Sequence, residues 1–222
     1  MKLLKFSLFA LLLSSTLFIA CSDDDSDDND MQQMTIAEIV AGDARFTTLL
    51  SALERTDLDA TLSASGTFTV FAPTNEAFDD LGVDLTTLTD EQLTDILLYH
   101  VLGNEVAAGS IPTGNSYVTT ASTAGPDDTQ LSLFINNSNG AVLLNDSISV
   151  VQTNIDASNG IVHVIDGVLE LPTILDLAGN NPDFRQLAEA LFDADASVLI
   201  TLSGTGPFTV FAPVNSAFEA IA

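Results

Sequence analysis

One segment of this chain is written twice, and a chain that repeats a segment at long range repeats a fold. Gly66 to Phe78, with Phe68-Thr69-Val70-Phe71-Ala72-Pro73 at its centre and Asn75 near its end, recurs as Gly206 to Phe218, around Phe208-Thr209-Val210-Phe211-Ala212-Pro213 and Asn215. The two stand 140 positions apart. Upstream, Thr35-Ile36-Ala37-Glu38-Ile39 pairs with Thr173-Ile174-Leu175-Asp176-Leu177, and Phe46, Leu49 and Leu53 pair with Phe184, Leu187 and Leu191, here at a spacing of 138. Solenoid units run at about 20 to 50 residues, so a period this long implies tandem globular domains. The first copy spans residues 35–171; the second begins at 173 and stops at Ala222, about a third of the way through. Only Leu171 and Pro172 join them, which expects the two to sit close together. The second copy holds a helix around Phe184, Leu187 and Leu191 and a strand over Phe208–Phe211, but no counterpart of the 117–166 region. The chain is therefore expected to be a fragment, its last 50 residues or so mobile or docked on the first domain.

Within the first copy, Phe46, Leu49, Leu50 and Leu53 place one apolar stripe on a helix running to about Thr56. Phe68 to Ala72 is a short β-type run ended by Pro73, and Thr74 or Asn75 can cap a short helix carrying Ala77 and Phe78. Thr89 with Gln92 reads as a capping box for a helix bearing Leu93, Ile96 and Leu97, after which Tyr99 to Leu102 is expected to be extended. From Tyr117 the chain turns to short runs rich in β-branched residues: 117–120, 131–135, 141–144, 148–153 and 161–165. Asn139-Gly140 and Asn159-Gly160 are the strongest hairpin signals between them. The expected class is α+β, with helices on one side of an antiparallel sheet system.

The first 34 residues are not part of that fold. Lys2 and Lys5 precede an apolar run from Phe6 to Ala20, and small Ala20 directly precedes Cys21, so residues 1–20 read as a signal peptide. Leu17 to Cys21 resembles the lipobox of bacterial lipoproteins, which implies a lipidated Cys21 and a membrane anchor. The acidic tail of residues 21–34 is a solvated tether by its like charges, and resembles the export signal of surface-exposed lipoproteins. The implied place is the outer membrane, on the cell surface. Cys21 is the one cysteine, so the fold must hold without internal disulfides.

Cleavage would leave three basic residues against 31 acidic ones, a formal charge of −28 in place of −26. A chain so acidic repels phosphates, which excludes nucleic acid as a partner.

Three ordered motifs carry a resemblance: Phe68 to Phe78 with Phe71, Pro73, Asn75 and Phe78; the pair Tyr99-His100; and Asn159-Gly160-Ile161-Val162-His163-Val164-Ile165-Asp166. In this order and spacing they resemble the fasciclin domain, fully over 35–171 and in part over 173–222. The resemblance implies a β-sheet wedge decorated by helices and a non-enzymatic adhesion or matrix-binding role. It implies partners such as extracellular matrix, a polysaccharide or a neighbouring cell's surface, and no cofactor. In animal relatives the Tyr-His region is proposed to contact integrins, which makes Tyr99 and His100 the candidate adhesion motif.

The residues themselves favour burial for that pair, since Ile96 to Leu102 is otherwise apolar. His163, between Val162 and Val164, reads as a core histidine in the same way, and Asp166 as an acceptor of backbone N–H groups at the strand end. A rival reading makes the chain a metal-dependent or hydrolytic surface enzyme using His100 and His163. Such a metal site would need Asp146, Asp156 or Asp166 to complete it. No nucleophile elbow, phosphate loop or dinucleotide fingerprint is present, so no catalytic residue is assigned.

Overall fold

The computed structural model describes residues 33–138, 140–204 and 206–220. The expected signal peptide (1–20), Cys21 and the expected tether up to residue 32 lie outside these residues, as does Asn139. Thr35 starts the first element: its hydroxyl accepts the Glu38 N–H while the Glu38 carboxylate accepts the Thr35 N–H, a reciprocal capping box. Helix α1 (Ile36–Gly42) is followed by α2 (Thr47–Arg55), α3 (Leu58–Ser63) and strand β1 (Phe68–Pro73). Thr74 caps α4 (Asn75–Leu81), and the Thr89–Gln92 capping box opens α5 (Asp90–Tyr99). Six strands then run in sequence: β2 (Val101–Leu102), β3 (Gly114–Thr119), β4 (Ser132–Ser138), β5 (Ala141–Leu144), β6 (Ile148–Ala157) and β7 (Gly160–Ile165). Helices α6 (Ile174–Gly179), α7 (Arg185–Phe192), α8 (Ala196–Leu202) and α9 (Asn215–Glu219) complete the described chain. Among the described residues no helix is long and apolar enough to cross a membrane.

The seven strands form one sheet in the order β2-β1-β7-β6-β5-β4-β3. Most neighbours are antiparallel, as expected, but β1 and β7 pair in parallel from Phe68↔Gly160 to Pro73↔Ile165. An all-antiparallel system is thus corrected at this one ladder. The reason lies in connectivity: β1 enters the sheet before the helical excursion and β7 after it, and both are apolar on their two faces, as buried central strands must be.

Those two faces build two cores. On one, Val70, Ala72, Val162 and Val164 meet the helices through Ile36, Phe46, Leu53 and Leu97. On the other, Phe71 and Ile165 meet Ile135, Leu144 and Leu102. Since β4 and β5 lie well along the sheet from β1, that contact means the sheet curls back over itself into a wedge, with its helices packed on one side.

Two further expectations change. Tyr99 is the last residue of α5 and His100 its C-cap, so the extended run shrinks to Val101–Leu102. Leu93 and Leu97 are buried in one core and Tyr99, on the opposite face of the helix, in the other, so the last turn of α5 is packed on both sides. In the second copy Phe208–Phe211 is not a strand. Its counterpart β1 lies between β2 and β7, and among the described residues after Pro172 nothing takes the place of either neighbour.

The helical part of the second copy repeats the first closely. Thr173 and Asp176 form the same capping box as Thr35 and Glu38. Asn75 accepts the Thr48 N–H at 2.9 Å and donates to the Ala44 carbonyl at 2.9 Å; Asn215 accepts the Gln186 N–H at 3.0 Å and donates to the Pro182 carbonyl at 2.9 Å. This part docks on the first domain, where the Asn181 amide donates to the Tyr117 hydroxyl at 2.7 Å.

Candidate functional site

His100 sits where α5 meets the sheet. Its Nδ1–H donates to the Ile96 carbonyl at 2.8 Å and its Nε2 accepts the Leu169 N–H at 2.9 Å. A carbonyl on one side and an N–H on the other admit only the neutral ring protonated at Nδ1. Complete burial drives its pKa down from 6.5 to about 4, against the smaller opposing effect of the Ile96 bond. His100 is thus a strut tying the end of α5 to the segment after β7. Tyr99 is equally buried, its hydroxyl donating to the Ser132 carbonyl at 3.2 Å and receiving the Asn145 amide at 3.4 Å. Neither side chain reaches the surface, so an adhesion role cannot run through direct contact with Tyr99 or His100.

His163 does comparable work on β7. Its Nε2–H donates to the Val106 carbonyl at 2.9 Å, its Nδ1 accepts the Asn154 N–H at 3.2 Å, and its ring stacks on Phe71 with centroids 5.6 Å apart. Burial lowers its pKa too. Thr69, fully buried, donates to the Asn104 carbonyl at 2.7 Å and accepts the Val106 N–H at 2.8 Å. Asn154 then accepts the Ala108 N–H at 2.9 Å. These bonds pin the loop from Gly103 to Ala108 across β1, β7 and β6.

Beneath that loop, β6 is irregular. Its register against β7 slips between Val150 and Gln152 and again between Gln152 and Ile155, and Asn154 has φ 57°. Bulges re-aim side chains, and here they leave Val151 58% exposed beside the exposed Gln152, Thr153 and Asn154.

The remaining motif residues are structural. Asn159, buried, accepts the Ile36 N–H at 2.9 Å and donates to the Leu62 and Ala64 carbonyls at 2.7 and 2.8 Å, tying α1 and α3 to β7. A Cβ on Gly160 would meet the Phe68 carbonyl oxygen at 2.0 Å, so only glycine permits the close parallel approach of β1. Asp166 accepts the Ser149 N–H at 2.7 Å, from the adjacent strand β6. Phe71, Pro73 and Phe78 are buried, and Asn75 clamps α4 to α2.

The rival reading fails on hydrogen bonding. Each imidazole has one nitrogen protonated and its single lone pair already accepting a backbone N–H, so neither His100 nor His163 can ligate a metal or take a proton from substrate without breaking the core. Among the described residues no three His, Cys, Asp or Glu side chains gather as a metal cluster.

The fasciclin domain family matches residues 44–172. The chain belongs to the fasciclin domain family. It is 39% identical over 144 residues to protein sll1483 of Synechocystis sp., covering 63% of this chain and 74% of that protein. It is 37% identical over 141 residues to rabbit transforming growth factor-beta-induced protein ig-h3 (62% of this chain, 19% of that protein) and 33% identical over 165 residues to human periostin (71% and 18%). The chain thus spans about a fifth of each of these two mammalian relatives. Among solved structures, a FAS1 domain pair from the insect cell adhesion molecule fasciclin I has the same fold, with TM-score 0.50 at 18% identity over 62% of this chain and 51% of that one.

Sequence reasoning passed over Thr69 and Asn154. Both left a signal: a hydroxyl inside an apolar strand, and an asparagine inside a β-branched run, where it tolerates a left-handed backbone.

Proposed function

We propose that this chain is a non-enzymatic cell-surface adhesion or matrix-binding module whose contact face is the Gly103–Ala108 loop with the bulged stretch Val151–Asn154. The observation that carries this reading is the bulge itself. An irregular strand persists only where its surroundings over-determine it, and here His163, Thr69 and Asn154 do so while the side chains above them face solvent. Of the two motif histidines, His163 acts as a positioning residue beneath this face. Kinship with an insect cell adhesion molecule of the same fold supports the adhesive role.

In this reading Cys21 carries the lipid anchor after removal of residues 1–20, residues 21–34 lift the domain from an outer membrane, and residues 173–222 begin a second fasciclin domain. The ligand class is a matrix protein, a polysaccharide or a neighbouring cell's surface component. The test is an array of matrix proteins and glycans probed with the purified chain and with Val151→Asp. Saturable binding that the substitution abolishes, at an unchanged melting point, supports the assignment. Binding indifferent to Val151→Asp places the contact elsewhere.

A further inference from the structure

Asn145 and Asp146 are the central residues of the tight turn from β5 to β6, both left-handed with φ 48° and 56°, and the Ser147 N–H closes the turn on the Leu144 carbonyl at 3.2 Å. Asn145 is only 8% exposed. Its amide faces Tyr99, whose hydroxyl already donates to the Ser132 carbonyl and can only accept. The Asn145 atom 3.4 Å from that hydroxyl is therefore Nδ2, and the atom left over is Oδ1, buried with no hydrogen-bond partner among the protein's own groups. Buried polar atoms are rarely left so, and one that is points to an ion or other group seated beside it.

Asn145 lines a polar cavity of about 420 Å³, enclosed by this turn, the segment after β7 and the start of α6. Ser147, Glu170, Thr173, Asp176 and Asn180 line it too. Each offers an oxygen ligand, and no histidine or cysteine is among them. Neither Glu170 nor Asp176 forms an ion pair among the described residues. Asp176 spends Oδ2 on its capping box with Thr173 and keeps Oδ1 available. Burial raises the Tyr99 pKa, the Asn145 bond offsets part of that, and the charge of Asp176 adds to it, so Asp176 stands close to the Tyr99 and Asn145 pair. The cavity owes nothing to the strands of the second copy. Asp176 and Asn180 correspond to Glu38 and Gly42 of α1, which are exposed in the first domain with all its strands in place, so this side of the helix points away from its own copy's sheet.

We propose that this cavity is a calcium site, held by Asn145 Oδ1, the Glu170 and Asp176 carboxylates and the hydroxyl and amide oxygens around them. Calcium takes about six to eight oxygen ligands in a flexible shell, backbone and amide carbonyls included, whereas magnesium demands a near-ideal octahedron and zinc favours nitrogen and sulfur. Two carboxylates are a low charge count for such a site. The affinity expected is therefore that of extracellular modules, a Kd of about 0.1–1 mM. Asn145, Glu170 and Asp176 come from three separate segments, so the ion would tie the β5–β6 turn of the first domain to the first helix of the second copy.

The test is calorimetric titration of the full chain with calcium in about 0.15 M NaCl, which screens diffuse attraction to the acidic surface. One ion per chain is expected, with slower amide exchange at Asn145 to Ile148 and at Leu171 to Asp176 when calcium is added. Glu170→Gln and Asp176→Asn should each weaken binding by about tenfold or more, and Glu91→Gln, in an acidic stretch of α5, should leave it unchanged. All three carboxylates are exposed, so the variants keep the fold. No binding up to about 10 mM calcium, well above the expected Kd, would overturn the proposal. So would binding that Glu170→Gln and Asp176→Asn leave unchanged, or that Glu91→Gln weakens as much.

Discussion

Replacing His100 with alanine tests whether the Tyr-His pair is a strut or a contact. The substitution strands the buried Leu169 N–H, which costs about 1–3 kcal/mol, and removes the imidazole from a fully packed site, where the void adds a further penalty of about 2 kcal/mol. Together these give about 3–5 kcal/mol. For a protein of this size each kcal/mol moves the melting point by about 2–4 °C, so a fall of about 6–20 °C is expected. A second, independent readout comes from pH. The folded state holds the His100 pKa near 4, below the 6.5 of an exposed histidine, so folding favours the neutral ring. That contribution is complete above about pH 6.5 and is lost as pH falls towards 4, amounting to about 3 kcal/mol. His163 shifts in the same direction. Since the alanine variant has no imidazole to protonate, its stability gap to the wild type should shrink as pH falls from 7 to 4. The assay is denaturant unfolding of both proteins at pH 7, 5.5 and 4. A variant as stable as the wild type, or a gap that does not change with pH, refutes the buried-strut reading.

Other substitutions probe the remaining joints. Gly160→Val should abolish folding by driving a side chain into the Phe68 carbonyl, whereas Gly109→Ala, with open space around it, should leave the melting point within about 1 °C; circular dichroism on the two decides. Asn75→Ala should destabilise the first domain by about 1–3 kcal/mol. Asn215→Ala should leave the main unfolding transition in place and speed proteolysis only beyond Pro172. Equal effects of the two would mean that the second copy shares the first domain's cooperativity. Cys21→Ser should eliminate palmitate labelling and release the protein from membranes; label that persists would move the anchor elsewhere.

Much of the fold could be read from the residues because local chemistry agreed with global packing. The capping boxes at Thr35 and Thr89, the stripe of Phe46, Leu49 and Leu53, and the strand runs from Tyr117 to Ile165 each have one local solution, and the structure adopts it. The family motifs were equally legible, since Asn159 and Gly160 are dictated by contacts that no other side chain could make. What escaped depended on distant partners. The parallel pairing of β1 with β7 joins residues more than 80 positions apart and leaves no local mark. Tyr99 looked extended because its neighbours are apolar on every side, and only the packing of α5 decided for helix. The left-handed Asn154 and its bulge arise from His163 and Ala108, which meet it from other elements. In the second copy local signals formed the helices, while Phe208–Phe211, with no paired strand beside it among the described residues, is not a strand.

The most direct measurement of the adhesive role is the attachment of cells displaying the full chain, compared with cells displaying Val151→Asp, to the matrix or glycan surface that binds wild type best. Val151 is solvent-exposed, so the two should melt together and appear on the surface in equal amount, while attachment by the variant falls by about tenfold or more. Attachment that survives Val151→Asp undiminished, with equal display, would contradict a contact face on the bulged strand.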